Sequence, residues 1–189
     1  SSASTIALPG RHWPDRLIER APAWLSTDLR DGNQALADPM DQARKDRFFD
    51  LLLRIGFKEI EIAFPAASQT DFDFVRSLIE GGRIPDDVWP QVMTPARPEM
   101  IRRSFDSLRG ARRAIVHVYN AVAPLFREVV FGMTRAQVIA LAVDAARLCR
   151  NLAAEQPKTE FRFQYSPETF NFTEPDFALE ICESVLEIW

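Results

Sequence analysis

The chain has 189 residues, of which 47% are apolar and 26% charged, the composition of one globular domain with a sizeable core. Its net charge of -4 disfavours a nucleic-acid partner or an anionic membrane. No apolar run reaches the roughly 20 residues of a membrane helix, and the first ten residues lack the pattern of a signal peptide. These totals predict a cytoplasmic protein that binds neither nucleic acid nor membrane.

Strand and helix patterns alternate five times along the chain. Short apolar, β-branched runs predict strands, and apolar residues at helical spacing predict the helix that follows each one. The predicted strands cover residues 24–28, 59–64, 89–94, 114–119 and 161–165. This order predicts an α/β fold with a parallel sheet.

The helix ends carry recognisable signals. We expect the first helix to begin near Asp38, with Pro39 in its first turn, and to end at Gly56. Residues 134–137 fit a capping box at the start of the fourth helix. Thr173 is the expected cap of the fifth helix.

The residue pattern of the strands distinguishes between two folds, a doubly wound open sheet and part of a (β/α)8 barrel. Strands of open sheets are apolar on both faces, whereas these strands alternate apolar and polar residues. Glu59, Glu61 and Ala63 share one face of the second strand, and Ile60, Ile62 and Phe64 the other. A partly polar inner face is typical of a barrel near its catalytic end. Since a full TIM barrel takes about 250 residues, we expect a partial barrel of about five βα units.

The turn after the first strand carries the strongest chemical signal, the adjacent Arg30 and Asp31. At the carboxyl end of a strand, the arginine can hold a developing oxyanion and the aspartate a divalent metal. The alternative is an exposed loop whose charges are only solvated, because short turns rich in Asp, Gly and Asn are common.

Four runs of sequence together resemble the 2-isopropylmalate synthase family. They are residues 24–36, which include Leu-Arg-Asp-Gly-Asn-Gln, then 59–74, 115–120 and 165–168. With Asn at position 33, where many relatives carry Glu, the chain is most similar to the long-form subgroup of actinobacteria, some proteobacteria and fungi. The resemblance implies acyl transfer in leucine biosynthesis: a Claisen condensation of acetyl-CoA, as co-substrate, with the 2-oxo acid 2-oxoisovalerate. It also implies a divalent metal, magnesium, manganese or zinc.

The resemblance also implies roles for individual residues. Asp31 would bind the metal, and Arg30 and Glu168 would be catalytic. Substrate would contact Arg30 and a set of inward-facing residues near the strand ends, with an apolar wall at Met93: Glu61, Met93, His117, Tyr119, Ser166 and Glu168.

Plainer readings compete with four of these roles. Glu61 could form an ion pair with Arg30 or Arg162, His117 could be a satisfied interior histidine, and Glu168 could cap the next helix. Tyr119 could also anchor the loop after the fourth strand.

One departure from the family pattern is the lack of a His-x-His pair, which completes the family's metal site on a later strand. We therefore expect residues 1–22 to be a leading arm and residues 23–189 the front of the catalytic barrel. The later strands and the C-terminal regulatory domain would be absent, and the chain alone inactive. Two other readings stay open: a non-catalytic half-barrel that self-associates through its open strand edges, and a related citramalate or homocitrate synthase. We expect a homo-oligomer.

Overall fold

The computed structural model describes residues 20–189, in which five parallel strands form one sheet in the order β1-β2-β3-β4-β5. The strands are β1 Leu25–Ser26, β2 Glu59–Ala63, β3 Trp89–Pro95, β4 Arg113–Ala121 and β5 Glu160–Glu168. The helices are α1 Gln42–Ile55, α2 Gln69–Glu80, α3 Pro98–Ser107, α4 Arg135–Ala154 and α5 Pro175–Leu186. The predicted alternation of strand and helix is confirmed, whereas most of the proposed arm, residues 1–22, lies outside the described residues.

The first strand is shorter than predicted. Trp24 is exposed, and the chain leaves the sheet after Ser26 to form a π-helical turn, Asp28–Gly32. In this turn the amide N–H groups of Arg30, Asp31 and Gly32 all point at the carbonyl oxygen of Thr27. The turn therefore lifts Arg30 and Asp31 directly off the carboxyl end of β1.

The starts of α1 and α5 differ from the predictions. Asp41, not Asp38, caps α1 by accepting a hydrogen bond from the amide of Arg44 at 2.8 Å. The Asn33 side-chain oxygen accepts the amide N–H of Met40 at 2.7 Å, which keeps Pro39 in the preceding loop. Sequence reasoning missed this bond because it joins residues across a loop.

Glu174 occupies the N-cap of α5 in place of Thr173. The Thr173 hydroxyl donates to the Thr169 carbonyl oxygen at 3.0 Å and is not available to the helix. Two other predicted ends are confirmed: Gly56 ends α1 in the left-handed conformation, and the capping box of Thr134 and Gln137 opens α4.

The two faces of the sheet differ in polarity, as the alternation predicted. Apolar residues of the strands, such as Ile60, Val92 and Val116, pack against α1 to α4 in the main core cluster. Ala63 was expected on the face of Glu61 but belongs to that core cluster, because a β-bulge between Glu61 and Ala63 shifts the register against β3. The opposite face carries buried polar side chains.

No helix among residues 20–189 combines the length and the apolar composition needed to cross a membrane.

Candidate active site

Four side chains from different elements meet at the polar face of the sheet. Arg30 comes from the turn after β1, Glu61 from β2, His117 from β4 and Ser166 from β5. Parallel strands end at one edge of a sheet, so residues near their carboxyl ends converge. The sequence predicted all four of these residues as a site, and the structure brings them into one hydrogen-bonded chain.

Glu61 is the centre of this chain and is fully buried. Its Oε1 atom accepts a hydrogen bond from Arg30 Nε at 2.5 Å. Its Oε2 atom lies 2.6 Å from His117 Nδ1 and accepts a hydrogen bond from Gln91 Nε2 at 2.6 Å. Of the two ion pairs expected for Glu61, the structure forms the one with Arg30, while Arg162 pairs with Glu59 at 2.9 Å.

The surroundings of Glu61 favour its charged form. Burial acts to raise the pKa of the carboxyl, but hydrogen bonds from His117 and Gln91, with the charges of His117 and Arg30, outweigh burial and lower the pKa. An ionised carboxylate only accepts hydrogen bonds, so the proton in the contact with His117 lies on Nδ1.

The other ring nitrogen of His117 faces the fifth strand. His117 Nε2 lies 2.7 Å from Ser166 Oγ. Met93 on β3 is in register with His117. It belongs to neither of the two apolar core clusters that the strands and helices form. A buried methionine thus adjoins the imidazole on the polar face, as an apolar wall would.

Asp31 lies beside this chain but is largely exposed. Two-thirds of its side chain is accessible (66%), and it contacts Arg30 Nη1 at 3.0 Å. Within residues 20–189, no three His, Cys, Asp or Glu side chains come together as a metal site. The described residues therefore do not by themselves fit a complete divalent-metal site, since magnesium takes six ligands and zinc about four, water included.

Tyr119 and Glu168 lie at the mouth of a neighbouring cavity of about 470 Å³. Its walls are mainly apolar, and the residues that matter here are Phe64, Arg97, Tyr119, Asn120, Phe131 and Glu168. Burial and the charge of Glu168 raise the pKa of Tyr119, against the opposing charges of Arg97 and Arg30. The two residues thus share an electrostatic environment with Arg30, although neither side chain is bonded to the buried chain of residues.

Glu168 does not cap a helix, because Glu174 holds that position in α5. Its backbone is clamped: the Glu168 carbonyl oxygen accepts the amide of Val122 at 3.1 Å. The next residue, Thr169, is the one non-glycine residue in the described chain with a positive φ, 63°. A β-branched residue in this region is strained, and the Thr169 hydroxyl accepts the amide of Ala123 at 3.3 Å. These two hydrogen bonds hold the carboxyl end of β5 beside the loop after β4, against the backbone strain at Thr169.

Sequence reasoning missed two polar residues of this region. Gln91 is fully buried beside Glu61, and Asn120 lines the cavity with its Nδ2 atom buried and unpaired. Gln91 could have been found by extending to β3 the alternation seen in β2, which places it in register with Glu61. Asn120 gave no comparable signal, since it lies in what the sequence presents as a loop.

A parallel β/α sheet with ionisable side chains gathered at the carboxyl ends of its strands defines the (β/α)8-barrel class, of which this chain forms a partial barrel. Within that class a family profile described as HMGL-like matches residues 21–188. The chain belongs to the HMGL-like family.

Curated relatives match nearly the whole chain. The chain is 63% identical over 182 residues to a 2-isopropylmalate synthase of Azoarcus sp. (strain BH72), covering 96% of this chain and 32% of that protein. It is 61% identical over 184 residues to one of Ralstonia nicotianae, covering 97% and 32%. The chain therefore spans about a third of the length of the curated relatives that it matches.

Two lyase structures share the fold. Hydroxymethylglutaryl-CoA lyase of Pseudomonas aeruginosa has a TM-score of 0.60 at 18% identity, over 87% of this chain and 54% of that one. The HMG-CoA lyase of Bacillus subtilis has a TM-score of 0.61 at 14% identity, with the same coverage.

Proposed function

We propose that this chain supplies the front part of the catalytic barrel of a 2-isopropylmalate synthase. The reaction is the condensation of acetyl-CoA with 2-oxoisovalerate, followed by thioester hydrolysis to 2-isopropylmalate and CoA. The observation that carries the proposal is the bonded chain of Arg30, Glu61, His117 and Ser166 at the strand ends. Identity of 63% to a 2-isopropylmalate synthase supports it.

In this proposal Arg30 stabilises the charge that develops on the ketone oxygen. Once a base has taken a proton from the acetyl methyl group, the resulting carbanion bonds to the carbonyl carbon of the oxo acid, and the carbonyl electron pair moves onto oxygen. A guanidinium already held in place needs no reorganisation to meet that charge. Glu61 provides the hold, since it is buried and hydrogen-bonded to Arg30 Nε.

The remaining predicted residues receive supporting roles. His117, Ser166 and Tyr119 bind the oxo acid, and Glu168 acts as a catalytic carboxylate at the mouth. Met93, beside His117, favours a branched aliphatic group over a second carboxylate, which supports 2-oxoisovalerate over 2-oxoglutarate. Asp31 is proposed as one ligand of a divalent magnesium, manganese or zinc ion, whose other ligands the described residues do not supply.

The subgroup is also part of the proposal. We infer that the chain is of the long-form type, because Asn33 bonds the amide of Met40 at 2.7 Å and fixes the loop after the catalytic turn. A glutamate at this position is longer by one carbon and charged, so it would need a different loop. Asn33 is also mostly buried, which disfavours a charge there.

The test is a hybrid enzyme in which this chain replaces the matched segment of the Azoarcus sp. synthase. We expect release of CoA thiol from acetyl-CoA with 2-oxoisovalerate, and slower release with pyruvate or 2-oxoglutarate. Arg30→Gln should lower kcat/KM by about 100-fold or more, the usual effect of losing one oxyanion donor. Arg44→Gln is the matched control, because Arg44 is exposed and pairs with exposed Asp38.

A folded hybrid that releases no thiol would overturn the proposal. Equal activity of the Arg30→Gln and Arg44→Gln hybrids would remove the role given to Arg30.

A further inference from the structure

Gln91 is a buried polar side chain of β3 to which the proposed reaction assigns no part. Its side chain is inaccessible, and its Nε2 atom donates a hydrogen bond to Glu61 Oε2 at 2.6 Å. The Oε1 atom of the same amide is buried without a partner. Turning the amide over would place Oε1 against a carboxylate oxygen, so the donor orientation is required even though it leaves a carbonyl unpaired.

The contacts of Glu61 divide between its two oxygen atoms. Oε1 meets Arg30, whereas Oε2 meets both Gln91 Nε2 and His117 Nδ1. Gln91 Nε2 and His117 Nδ1 lie 3.4 Å apart, but both carry hydrogen and both point at the carboxylate. Arg30 and Gln91 thus hold the carboxylate from opposite sides, and its orientation cannot change without breaking one of these bonds.

We propose that Gln91 is a positioning residue that holds Glu61 Oε2 against His117 Nδ1 and so confines proton exchange of the imidazole to Nε2. Nδ1 keeps its proton as long as an oriented carboxylate accepts a hydrogen bond from Nδ1–H. Nε2 is the nitrogen that faces Ser166 at 2.7 Å. The protonation of that one atom then determines what the serine hydroxyl can offer to a ligand.

The consequence for Ser166 follows from hydrogen-bond chemistry. With a lone pair on His117 Nε2, the serine donates its proton to the ring and can only accept from a ligand. With a proton on Nε2, the serine accepts from the ring, and its own proton becomes free for a ligand oxygen. The oxo acid of the proposed function presents only acceptors, so binding to Ser166 requires the second state. This step rests on the proposed function, whereas the proton position on the ring does not.

The surroundings of the pair contain few other charges. Arg30 reaches Glu61 from the turn after β1, with Asp31 beyond it, and Tyr119 lies further along β4. On the same face, Arg162 of β5 is paired with Glu59 of β2 at 2.9 Å, and Glu168 lies at the end of β5. The remaining side chains on this face of β3 and β5 around His117 are neutral: Gln91, Met93, Gln164 and Ser166. The proton on Nδ1 therefore responds mainly to the position of Glu61.

The test uses nitrogen NMR of the imidazole rings in the 189-residue chain. The sequence holds two histidines, His12 and His117, so a His12→Gln variant assigns the signals. We expect the neutral ring of His117 to carry its proton on Nδ1, with Nε2 unprotonated. In Gln91→Met, which removes the donor at similar volume, and Gln91→Asn, which shortens it, signals of the Nε2–H tautomer should appear.

Gln164→Met is the matched control, since Gln164 is the register partner of His117 on β5 and makes no hydrogen bond to Glu61 or His117. Its ring signals should match the wild type. The amide spectrum checks that each variant is folded, and either Gln91 variant suffices if the other unfolds.

Two results would overturn the proposal: an Nε2–H tautomer in the folded wild type, or an unchanged Nδ1–H ring in a folded Gln91 variant. In the hybrid enzyme, Gln91→Met should lower KM for the oxo acid by up to about tenfold, the scale of one hydrogen bond to a charged group, because the Nε2–H tautomer frees the serine proton for a ligand oxygen. An inactive hybrid with the expected ring signals would count against the proposed function and leave the role of Gln91 intact.

Discussion

At the scale of single residues, Arg30 and Glu61 form an ion pair that is nearly closed to solvent. The Arg30 side chain is 12% exposed and the Glu61 side chain fully buried. Taking two charges out of water is costly, and each then depends on the other for compensation. The pair therefore need not add to the stability of the fold, but replacing either residue alone should destabilise it.

Replacing Glu61 with glutamine tests this dependence. The change keeps the shape but leaves the nearly buried guanidinium with only the exposed Asp31 as a counter-charge, so we expect a loss of about 3 kcal/mol in the free energy of unfolding near pH 7. Urea denaturation measures it. Glu160→Gln is the control, because its pair with Arg113 is 60% exposed on the glutamate side, and exposed pairs contribute little.

The pH dependence of that difference has a defined sign. The folded-state pKa of Glu61 is lowered from 4.5, so its stabilising contribution is complete above the unfolded pKa. It is lost as pH falls through the folded value. The difference between wild type and Glu61→Gln should hold at pH 7 and shrink below about pH 4.5. A constant difference down to pH 3 would contradict it.

The identity of these residues could be predicted from sequence, but their contacts could not. Spacing placed Glu61 and His117 on polar strand faces, the turn after the first strand singled out Arg30, and the resemblance supplied the role of Ser166. The strand register alone could not decide whether Glu61 would pair with Arg30 or Arg162. It aligns Arg162 with Glu61 through Gln91 and Ile115, yet Arg162 pairs with Glu59, two residues earlier on β2.

At the scale of elements, a buried lysine joins α1 to the loop after β2. The Lys45 side chain is 1% exposed and pairs with Asp71 in α2. Asp71 also accepts the amide N–H of Phe64 at 2.8 Å through its other oxygen. One carboxylate thus fixes both the helix pair and the residue that follows β2 into the cavity wall.

Asp71→Asn separates these two functions. The amide oxygen can still accept from Phe64, but Lys45 keeps a buried charge without its partner, so we expect a loss of about 3 kcal/mol in the free energy of unfolding. Adding Lys45→Met should recover most of the loss, because the double variant buries no charge. Denaturation midpoints of the four proteins in this cycle measure the coupling. Asp87→Asn is the control, since Asp87 and Lys58 pair in an exposed position.

Helix ends show how far local signals reach. The capping box at Thr134 and the glycine at position 56 involve only neighbouring residues, and both were predicted correctly. The starts of α1 and α5 were wrong because the competing bonds, from Met40 to Asn33 and from Thr173 to Thr169, are specific to the folded loops. Local propensity ranks candidate caps, and the loop geometry then selects among them.

At the scale of the whole molecule, the predicted partial barrel is confirmed in strand order and direction. Regular βα alternation predicts the parallel direction, since crossover connections leave few alternatives, and the polar strand faces favoured the barrel over an open sheet. The expected homo-oligomer and the limits of the domain stay predictions, because both depend on contacts between surfaces that alternation does not encode. The bulge in β2 also gave no signal in the sequence.

Metal affinity tests the site at this scale. With Asp31 exposed and no cluster of three metal-binding side chains in the described residues, we expect the chain alone to bind magnesium with a Kd of about 1 mM or weaker. It should also release no thiol from acetyl-CoA. Calorimetric titration with Mg²⁺ and Mn²⁺ measures the metal affinity of the chain alone. In the hybrid, the same titration compares Asp31→Asn with Asp38→Asn as the control. Micromolar binding by the chain alone would contradict the expectation.

The left-handed backbone of Thr169 has a consequence for how this region can evolve. Glycine or asparagine would relax the torsion at that position, so selection for heat resistance alone should favour them. Both would also lose the hydroxyl that ties the end of β5 to Ala123, and with it the fixed placement of Glu168. Thermostable descendants that keep threonine there would therefore indicate that turnover, rather than folding, constrains this position.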